Sequence, residues 1–449
     1  MIRALRFSLP LLLVALAPAA STTQGPASIW SVPAHSGAVH ALAFSPDGQL
    51  VATAGADHRV KLWRASDGVL VRVLAIYTDE ASAVDFSPDG TLVASGSLGD
   101  VLTVSQVATG ATVCSQPLTG FVRDLSFAPA GNRLAVALGY FSNELELFDP
   151  GSCELTAILK PNDGTIWTTA YSPDGAWLAS GGADGDTAVL HASGGLVFDF
   201  GLHDGDVSAV AFAPNGTRVA SSGLFDHHVY VWSLPAGNLA LDLATPGEFL
   251  HGLDMATSGG LIAACGEVWP SHGTIHLWSA VDGHPLASYA TGLGPNVGCL
   301  EFAPDGQTFA FGRSDGVLAL AAVPGAFVPV GAGLAGGAGL PQLNGSGDAT
   351  AGSATGFTLA VSHAPPLALG LLFAGTTLGS QPLLGGTLYP VPVLIQVVVP
   401  VDAAGGFALG AKIPAGVPAT TSFVLQAWFP DGQAAAGASA TNGLLFSVK

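Results

Sequence analysis

The sequence predicts an all-β chain of seven four-stranded units, and the first ground is a short segment that keeps returning. Phe44 to Gly48 reads F-S-P-D-G, with close copies at Phe86 to Gly90, Phe127 to Gly131, Tyr171 to Gly175, Phe212 to Gly216 and Phe302 to Gly306. A degenerate copy, M-A-T-S-G, runs from Met255 to Gly259. The steps from one leading residue to the next are 42, 41, 44, 41, 43 and 47 residues, the span of one four-stranded propeller blade. The second ground is composition: 60 glycines, 30 prolines and 10% charged residues suit short strands and tight turns better than helices. Seven such units imply a seven-bladed β-propeller, and the remaining length leaves room for a small β-sandwich domain after it.

Each motif copy reads as a strand running into a turn. The aromatic closes the strand, proline presets φ, and Asp-Gly or Asn-Gly supplies the left-handed position. In the first unit strands are expected at Val39 to Phe44, Leu50 to Ala54, Val60 to Trp63 and Val69 to Leu74, with turns at Asp47-Gly48, Asp57-His58 and Asp67-Gly68. Ser28 to Val32 lies ahead of this unit and is the preferred outermost strand for the seventh blade, with Ala326 to Val330 as the alternative. Either closes the ring and leaves only protected edges.

The N-terminus belongs to no unit. Met1 to Arg6 carries two arginines, Phe7 to Leu16 is apolar, and Ala17-Pro18-Ala19-Ala20 offers small residues for cleavage. That pattern reads as a signal peptide over residues 1–20, so the chain is expected to be exported, to the periplasm, cell surface or medium. No other stretch is long and apolar enough for a spanning helix. The formal charge is -19 with four lysines, Lys61, Lys160, Lys412 and Lys449, which disfavours nucleic acid and anionic membrane surfaces because both require cationic side chains.

The first unit resembles a WD repeat. In that family a His before the first strand, a Ser or Thr on the second, an Asp in the next turn and a Trp on the third form a buried hydrogen-bond tetrad. The resemblance assigns these roles to His35, Thr53, Asp57 and Trp63, and in the fifth unit to His203, Ser221, Asp226 and Trp232. Unit six keeps Trp278 without an evident His or Asp, and units two, three, four and seven carry Ser105, Phe148, Leu190 and Leu320 at the Trp position. Only two blades are therefore expected to hold the tetrad, with apolar packing in the others. Such propellers mostly serve as binding platforms, so the resemblance implies a protein partner without naming one.

The propeller is expected over residues 28–330, a Gly-rich linker over 331–339, and the β-sandwich over 340–449. Strands are expected there at Phe357 to Val361, Ala368 to Phe373, Val391 to Val399, Phe407 to Leu409, Ser422 to Trp428 and Leu444 to Val448, separated by turn residues. This region resembles a C-terminal module of exported bacterial proteins through Pro341 to Gly345 (P-x-L-x-G), Ala364-Pro365-Pro366, Gln426 and Thr441-Asn442-Gly443. Export, anchoring or surface retention is the role it suggests.

Four cysteines, Cys114, Cys153, Cys265 and Cys299, allow three pairings in an exported chain. The sequence-near choices are Cys114 with Cys153 and Cys265 with Cys299. Alternatively Cys265 and Cys299, which align with Ala54 and Ala41, pack as buried thiols. The G-x-S-x-G string at Gly312 to Gly316 falls in a turn with no following helix, so a nucleophile elbow is not expected. His227, His228, His272 and His276 lack a converging carboxylate set, and no metal or other cofactor is expected.

Repeat geometry supplies the candidate site. Four residues before each leading residue of the motif stand His40, Ser82, Arg123, Trp167, Ser208, His251 and Gly298; two residues earlier stand Ala38, Glu80, Phe121, Thr165, Asp206, Phe249 and Asn296. At the entrance of an innermost strand these positions form one rim around the axis. His40, Glu80, Phe121, Arg123, Trp167, Asp206, Phe249 and His251 are the expected contacts for a protein segment or other ligand, because Arg and aromatics are what binding hot spots use. An ordinary alternative is that the rings of Phe121, Trp167 and Phe249 plug the axial hole. The expected function is a non-enzymatic scaffold. A hydrolytic or metal-dependent enzyme with an axial site, or a purely structural surface component, are the alternatives.

Overall fold

The computed structural model describes residue 26, residues 28–323 apart from 140, 141, 246, 269–271 and 294, and beyond them mainly the strands of the C-terminal region. The expected signal segment, the linker 331–339, and Pro341, Pro365, Pro366 and Asn442 of the tail motifs lie outside the described residues. The chain divides into two compact units, the first spanning Thr23–Ala321.

That first unit is a seven-bladed β-propeller. Blade one consists of Val39–Phe44, Leu50–Gly55, Arg59–Arg64 and Leu70–Ile76, paired antiparallel in sequence order. The innermost strands of blades two to seven are Ala81–Phe86, Phe121–Phe127, Ile166–Tyr171, Val207–Phe212, Phe249–Met255 and Val297–Phe302. Each innermost strand touches the next, and the seventh touches the first. The turn glycine of every motif copy, including Gly259 in the degenerate one, has φ between 65° and 71°, the left-handed value that favours glycine.

Ring closure uses the N-terminal strand. Ser28–Pro33 pairs antiparallel with Val317–Ala322, with Trp30 opposite Leu320 and Val32 opposite Leu318. Ala34 and His35 donate their backbone N–H groups to the Gly316 carbonyl at 2.8 and 3.0 Å, and Trp30 Nε1 donates to the Ala65 carbonyl of blade one at 2.8 Å. Gly316 (φ 84°) is required there, because a Cβ would stand 2.0 Å from the His35 carbonyl oxygen. The alternative closing segment is occupied elsewhere, as Phe327–Val330 pairs with Gly443–Ser447.

The apolar cores lie between neighbouring blades. Val39, Phe44, Val51 and Trp63 of blade one pack with Ala310, Leu318 and Leu320 of blade seven. Val229 and Val231 of blade five pack with Leu250, Ile262 and Trp278 of blade six.

Innermost strands of adjacent blades share no ladder, so their facing N–H groups need other acceptors. Side chains supply them. Asp85 Oδ2 accepts from Phe127 N at 2.7 Å, Asp124 Oδ2 from Thr169 N at 2.9 Å, Asp254 Oδ2 from Phe302 N at 2.8 Å and Glu301 Oε2 from Phe44 N at 3.1 Å. Burial pushes the Asp85 carboxyl up to about 7 and those of Asp124 and Asp254 up to about 6. The Glu301 carboxyl is pushed well up too, by burial first and then by the charges of Asp254 and Asp85.

In the C-terminal region one sheet runs in the order Phe327–Val330, Gly443–Ser447, Ser422–Pro430, Leu369–Gly375, Ile395–Pro400, with Ala438–Ala440 also paired to Ser422–Pro430. A second contains Gln342–Gly347, Phe357–Ser362 and Phe407–Ala411, and Leu378–Leu383 forms a hairpin with Gly386–Pro390. Gln426 and Thr441, noted as separate motifs, meet as a fully buried pair. Gln426 Nε2 donates to the Thr441 carbonyl at 3.0 Å, and Thr441 Oγ1 accepts from Ala427 N at 2.9 Å.

Candidate functional site

Every innermost strand carries a β-bulge at the same place. The register breaks at His40, Ser82, Arg123, Trp167, Ser208, His251 and Gly298, each of which is skipped between two paired neighbours. A bulge leaves its extra residue outside the ladder and re-aims its side chain. The ring of positions that repeat alignment singles out is therefore a ring of seven bulged residues. Two residues earlier, the carbonyls of Ala38, Glu80, Thr165, Asp206 and Asn296 accept from the residue just past the partner strand, which fixes the mouth of each hairpin.

Several bulged residues reach into the next blade. His40 Nε2 meets Glu80 Oε2 at 2.8 Å, and Ser82 Oγ donates to the Val122 carbonyl at 2.6 Å. The Arg123 guanidinium carbon lies 4.5 Å from the Trp167 ring centre and 5.9 Å from that of Phe121. His251 instead faces its own blade, with Nε2 3.6 Å from Glu267 Oε1, and burial lowers its pKa against the pull of that carboxylate. Burial raises the pKa of Asp206.

The three rim aromatics do not form one cluster. Phe121 and Trp167 share Arg123, whereas Phe249 packs edge-on against Phe225 at 6.0 Å and His227 at 5.8 Å. Both of those come from a turn of blade five that sequence alignment does not bring to the rim.

The expected tetrad is a complete hydrogen-bonded chain in blade one, whereas in blade five only His203, Ser221 and Asp226 are linked and Trp232 joins by ring contact alone. Trp63 Nε1 donates to Thr53 Oγ1 at 2.8 Å, His35 Nε2 meets Thr53 Oγ1 at 2.7 Å, and His35 Nδ1 meets Asp57 Oδ1 at 2.6 Å. Because Trp63 only donates, the Thr53 hydroxyl proton is free for His35 Nε2, and Nδ1–H points to the carboxylate. Burial lowers the His35 pKa, which keeps the ring neutral. Burial alone would raise Asp57, but the hydrogen bonds from Lys61 and His35 outweigh it and hold the carboxyl at about 2. In blade five His203 bonds Ser221 Oγ at 2.6 Å and Asp226 Oδ2 at 2.7 Å, edge-on to the Trp232 ring at 6.4 Å.

The expectation that the other blades rely on apolar packing is corrected in three of them. In blade four Asn162 takes the His slot, accepting from Ser180 Oγ at 2.6 Å and donating to Asp184 Oδ1 at 3.3 Å. In blade two the Tyr77 hydroxyl fills it, 2.7 Å from Ser95 Oγ. The signal was present: all four slots lie 18 residues before their hydroxyl partner. Blade six inverts the pair, with Glu248 at the mouth taking His276 Nε2 at 2.5 Å and Thr274 Oγ1 at 2.9 Å, and His276 stacked on Trp278.

The remaining candidates resolve simply. Cys114 and Cys153 are disulfide-bonded between blades two and three, while Cys265 and Cys299 are free thiols. Ser314 of the G-x-S-x-G string lies in a hairpin turn and accepts from Asn296 N at 3.1 Å. His227 stands in a turn with φ 66° rather than on the strand, which begins at His228. Among the described residues no three His, Cys, Asp or Glu side chains converge as metal ligands.

Comparison with known proteins agrees with this geometry. The family described as "WD domain, G-beta repeat" matches residues 27–64, 68–102, 153–189 and 194–233. Those stretches cover the inner strands of blades one, two, four and five, the four blades with a polar residue in the His slot. An uncharacterised WD repeat-containing protein of Synechocystis is 31% identical over 146 residues, 32% of this chain and 41% of that protein. Periodic tryptophan protein 2 of Arabidopsis thaliana is 28% identical over 210 residues, 45% of this chain and 22% of its own length. The guanine nucleotide-binding protein subunit beta of Arabidopsis thaliana is 26% identical over 235 residues, 48% of this chain and 61% of that one. The chain thus spans less than two thirds of each of these relatives. It carries WD40 repeats, set in a seven-bladed β-propeller.

Proposed function

We propose that this chain is an exported, non-enzymatic interaction scaffold whose propeller rim binds a segment of a partner protein. The observation that carries the reading is the ring of seven bulges, a device that re-aims side chains at functional rims and here presents Arg, Trp and His in a chain otherwise poor in charge. Similarity to a G-protein β subunit supports a binding role over a catalytic one. The carboxylates between the innermost strands are held by backbone N–H groups, which favours a structural role for them. The Cys114–Cys153 disulfide supports export, because such bonds persist in oxidising compartments. The C-terminal sheets are read as a β-sandwich that serves in surface retention.

Capture from the native envelope and secretome tests the rim. The full chain is expected to retain a specific partner that the triple variant Phe121→Ala, Trp167→Ala, Phe249→Ala loses. Undiminished capture by the folded triple variant overturns the reading. Mass spectrometry of the mature chain tests export, with cleavage expected after Ala20.

A further inference from the structure

Resting on the rim reading above, we infer that Arg123 anchors a single carboxylate of the bound polypeptide, with Trp167 and Phe121 as walls of that subsite. Arg123 is the bulged residue of blade three. Its stem crosses Gly139, where a Cβ would stand 2.7 Å from Arg123 Cγ and 2.9 Å from Nε. The bare Gly139 backbone is what lets the guanidinium lie against the rings, and any other residue there would displace it.

What marks the group as a receptor is that nothing among the described residues uses its donors. Among the described residues Arg123 makes no hydrogen bond or ion pair, and its Nε is enclosed without a partner, as is Trp167 Nε1. Several other cations are engaged, Lys61 by Asp57, Arg64 by Asp67, Lys160 by Glu144 and Arg313 by Asp315; Arg72, whose Nε is likewise enclosed without a partner, stands on the outermost strand of blade one, away from the rim. The guanidinium keeps its charge at neutral pH and offers five donors in a planar fork. A half-buried, unpaired fork is relieved by two parallel N–H···O bonds to a carboxylate. Contact of the guanidinium carbon with the Trp167 ring face does not consume N–H donors, so it does not compete with the carboxylate.

Charge limits what fits. The chain carries -19, and Glu80 lies on the same rim. A run of acidic residues is repelled wherever its charges fall within a Debye length of about 8 Å of these carboxylates. The complementary segment carries one carboxylate flanked by neutral or basic residues. That carboxylate belongs either to an Asp or Glu side chain or to a chain terminus.

Calorimetric titration of the full chain distinguishes these sources. The probes are acetyl-Ala-Glu-Phe-Ala-amide, its Gln counterpart, acetyl-Ala-Ala-Phe with a free α-carboxylate, and the corresponding amide. At least one carboxylate probe is expected to bind, and its neutral counterpart to bind at least tenfold more weakly, about 1.4 kcal/mol. Arg123→Gln is expected to cause the same loss with an unchanged thermal midpoint. Gly139→Ala, which displaces the guanidinium without removing it, is the second variant and is also expected to weaken binding. No binding of either carboxylate probe, or binding that survives neutralisation or Arg123→Gln, overturns the inference. In the capture experiment, a partner lost by the triple variant but kept by Arg123→Gln sinks the carboxylate anchor alone. A partner kept by the triple variant sinks the rim reading itself.

Discussion

The carboxylate of Glu301 accepts a hydrogen bond from the backbone N–H of Phe44, 257 positions earlier in the chain and across the seam where blade seven meets blade one. It stands at the motif position also occupied by Asp85 and Asp254. Burial raises the pKa of all three, and the charges of Asp254 and Asp85 add to the rise of Glu301. An acid raised on folding binds its proton more tightly in the folded than in the unfolded chain. Acidification from the folded value, about 7 for Asp85 and about 6 for Asp254, towards the unfolded value near 4 is therefore stabilising through these groups.

Glu301→Gln imitates the protonated form. We expect it to raise stability at pH 7.5 by on the order of 1 kcal/mol, and the gain to vanish at pH 4.5. Urea denaturation of both proteins at the two pH values checks this. A loss of stability at pH 7.5 would show that the charged form is needed.

The hydrogen-bonded slots predict a graded series. His35→Ala leaves Thr53 and Asp57 without their shared partner and is expected to cost about 2–4 kcal/mol. Asn162→Ala frees Ser180 and Asp184 and is expected to cost about 1–3 kcal/mol. Equilibrium unfolding monitored by tryptophan fluorescence measures both, and an effect of Asn162→Ala below about 0.5 kcal/mol, within the range of ordinary surface changes, contradicts its assignment to the slot.

Loss of the disulfide is expected to matter without disturbing the rim. The Cys114→Ser, Cys153→Ser double variant removes a crosslink between residues 39 apart and is expected to lose about 2–4 kcal/mol. Cys265→Ala, at a buried free thiol, is expected to change stability by less than about 1.5 kcal/mol. Thermal unfolding with and without reductant separates the two.

Gly316→Ala combines a left-handed backbone with a clash on the His35 carbonyl, and about 2–4 kcal/mol of destabilisation is expected. Limited proteolysis should then cut near Ser28–Pro33 first. Resistance equal to the wild type there would mean that closure does not depend on this contact.

Much of the propeller was legible because its motif is local: proline, aspartate and glycine dictate a turn whatever surrounds them, so even Met255 to Gly259 holds register. The rim positions were legible for the same reason, as fixed offsets from that turn. What each rim side chain touches was not, since Phe249 meets Phe225 and His227 from a neighbouring blade. Tyr77 and Asn162 are not legible as slot residues by type, because the slot tolerates any side chain that reaches the hydroxyl and not histidine alone. The pairing of Gln426, in the middle of Ser422–Pro430, with Thr441, just past Ala438–Ala440, links two positions that no periodicity connects.

Strand Ser28–Pro33 has a consequence for biogenesis. It leaves the ribosome well ahead of its partner, Val317–Ala322, a strand of blade seven that follows only after six complete blades have been synthesised. At roughly 5–20 residues per second it waits on the order of tens of seconds with its ladder groups open.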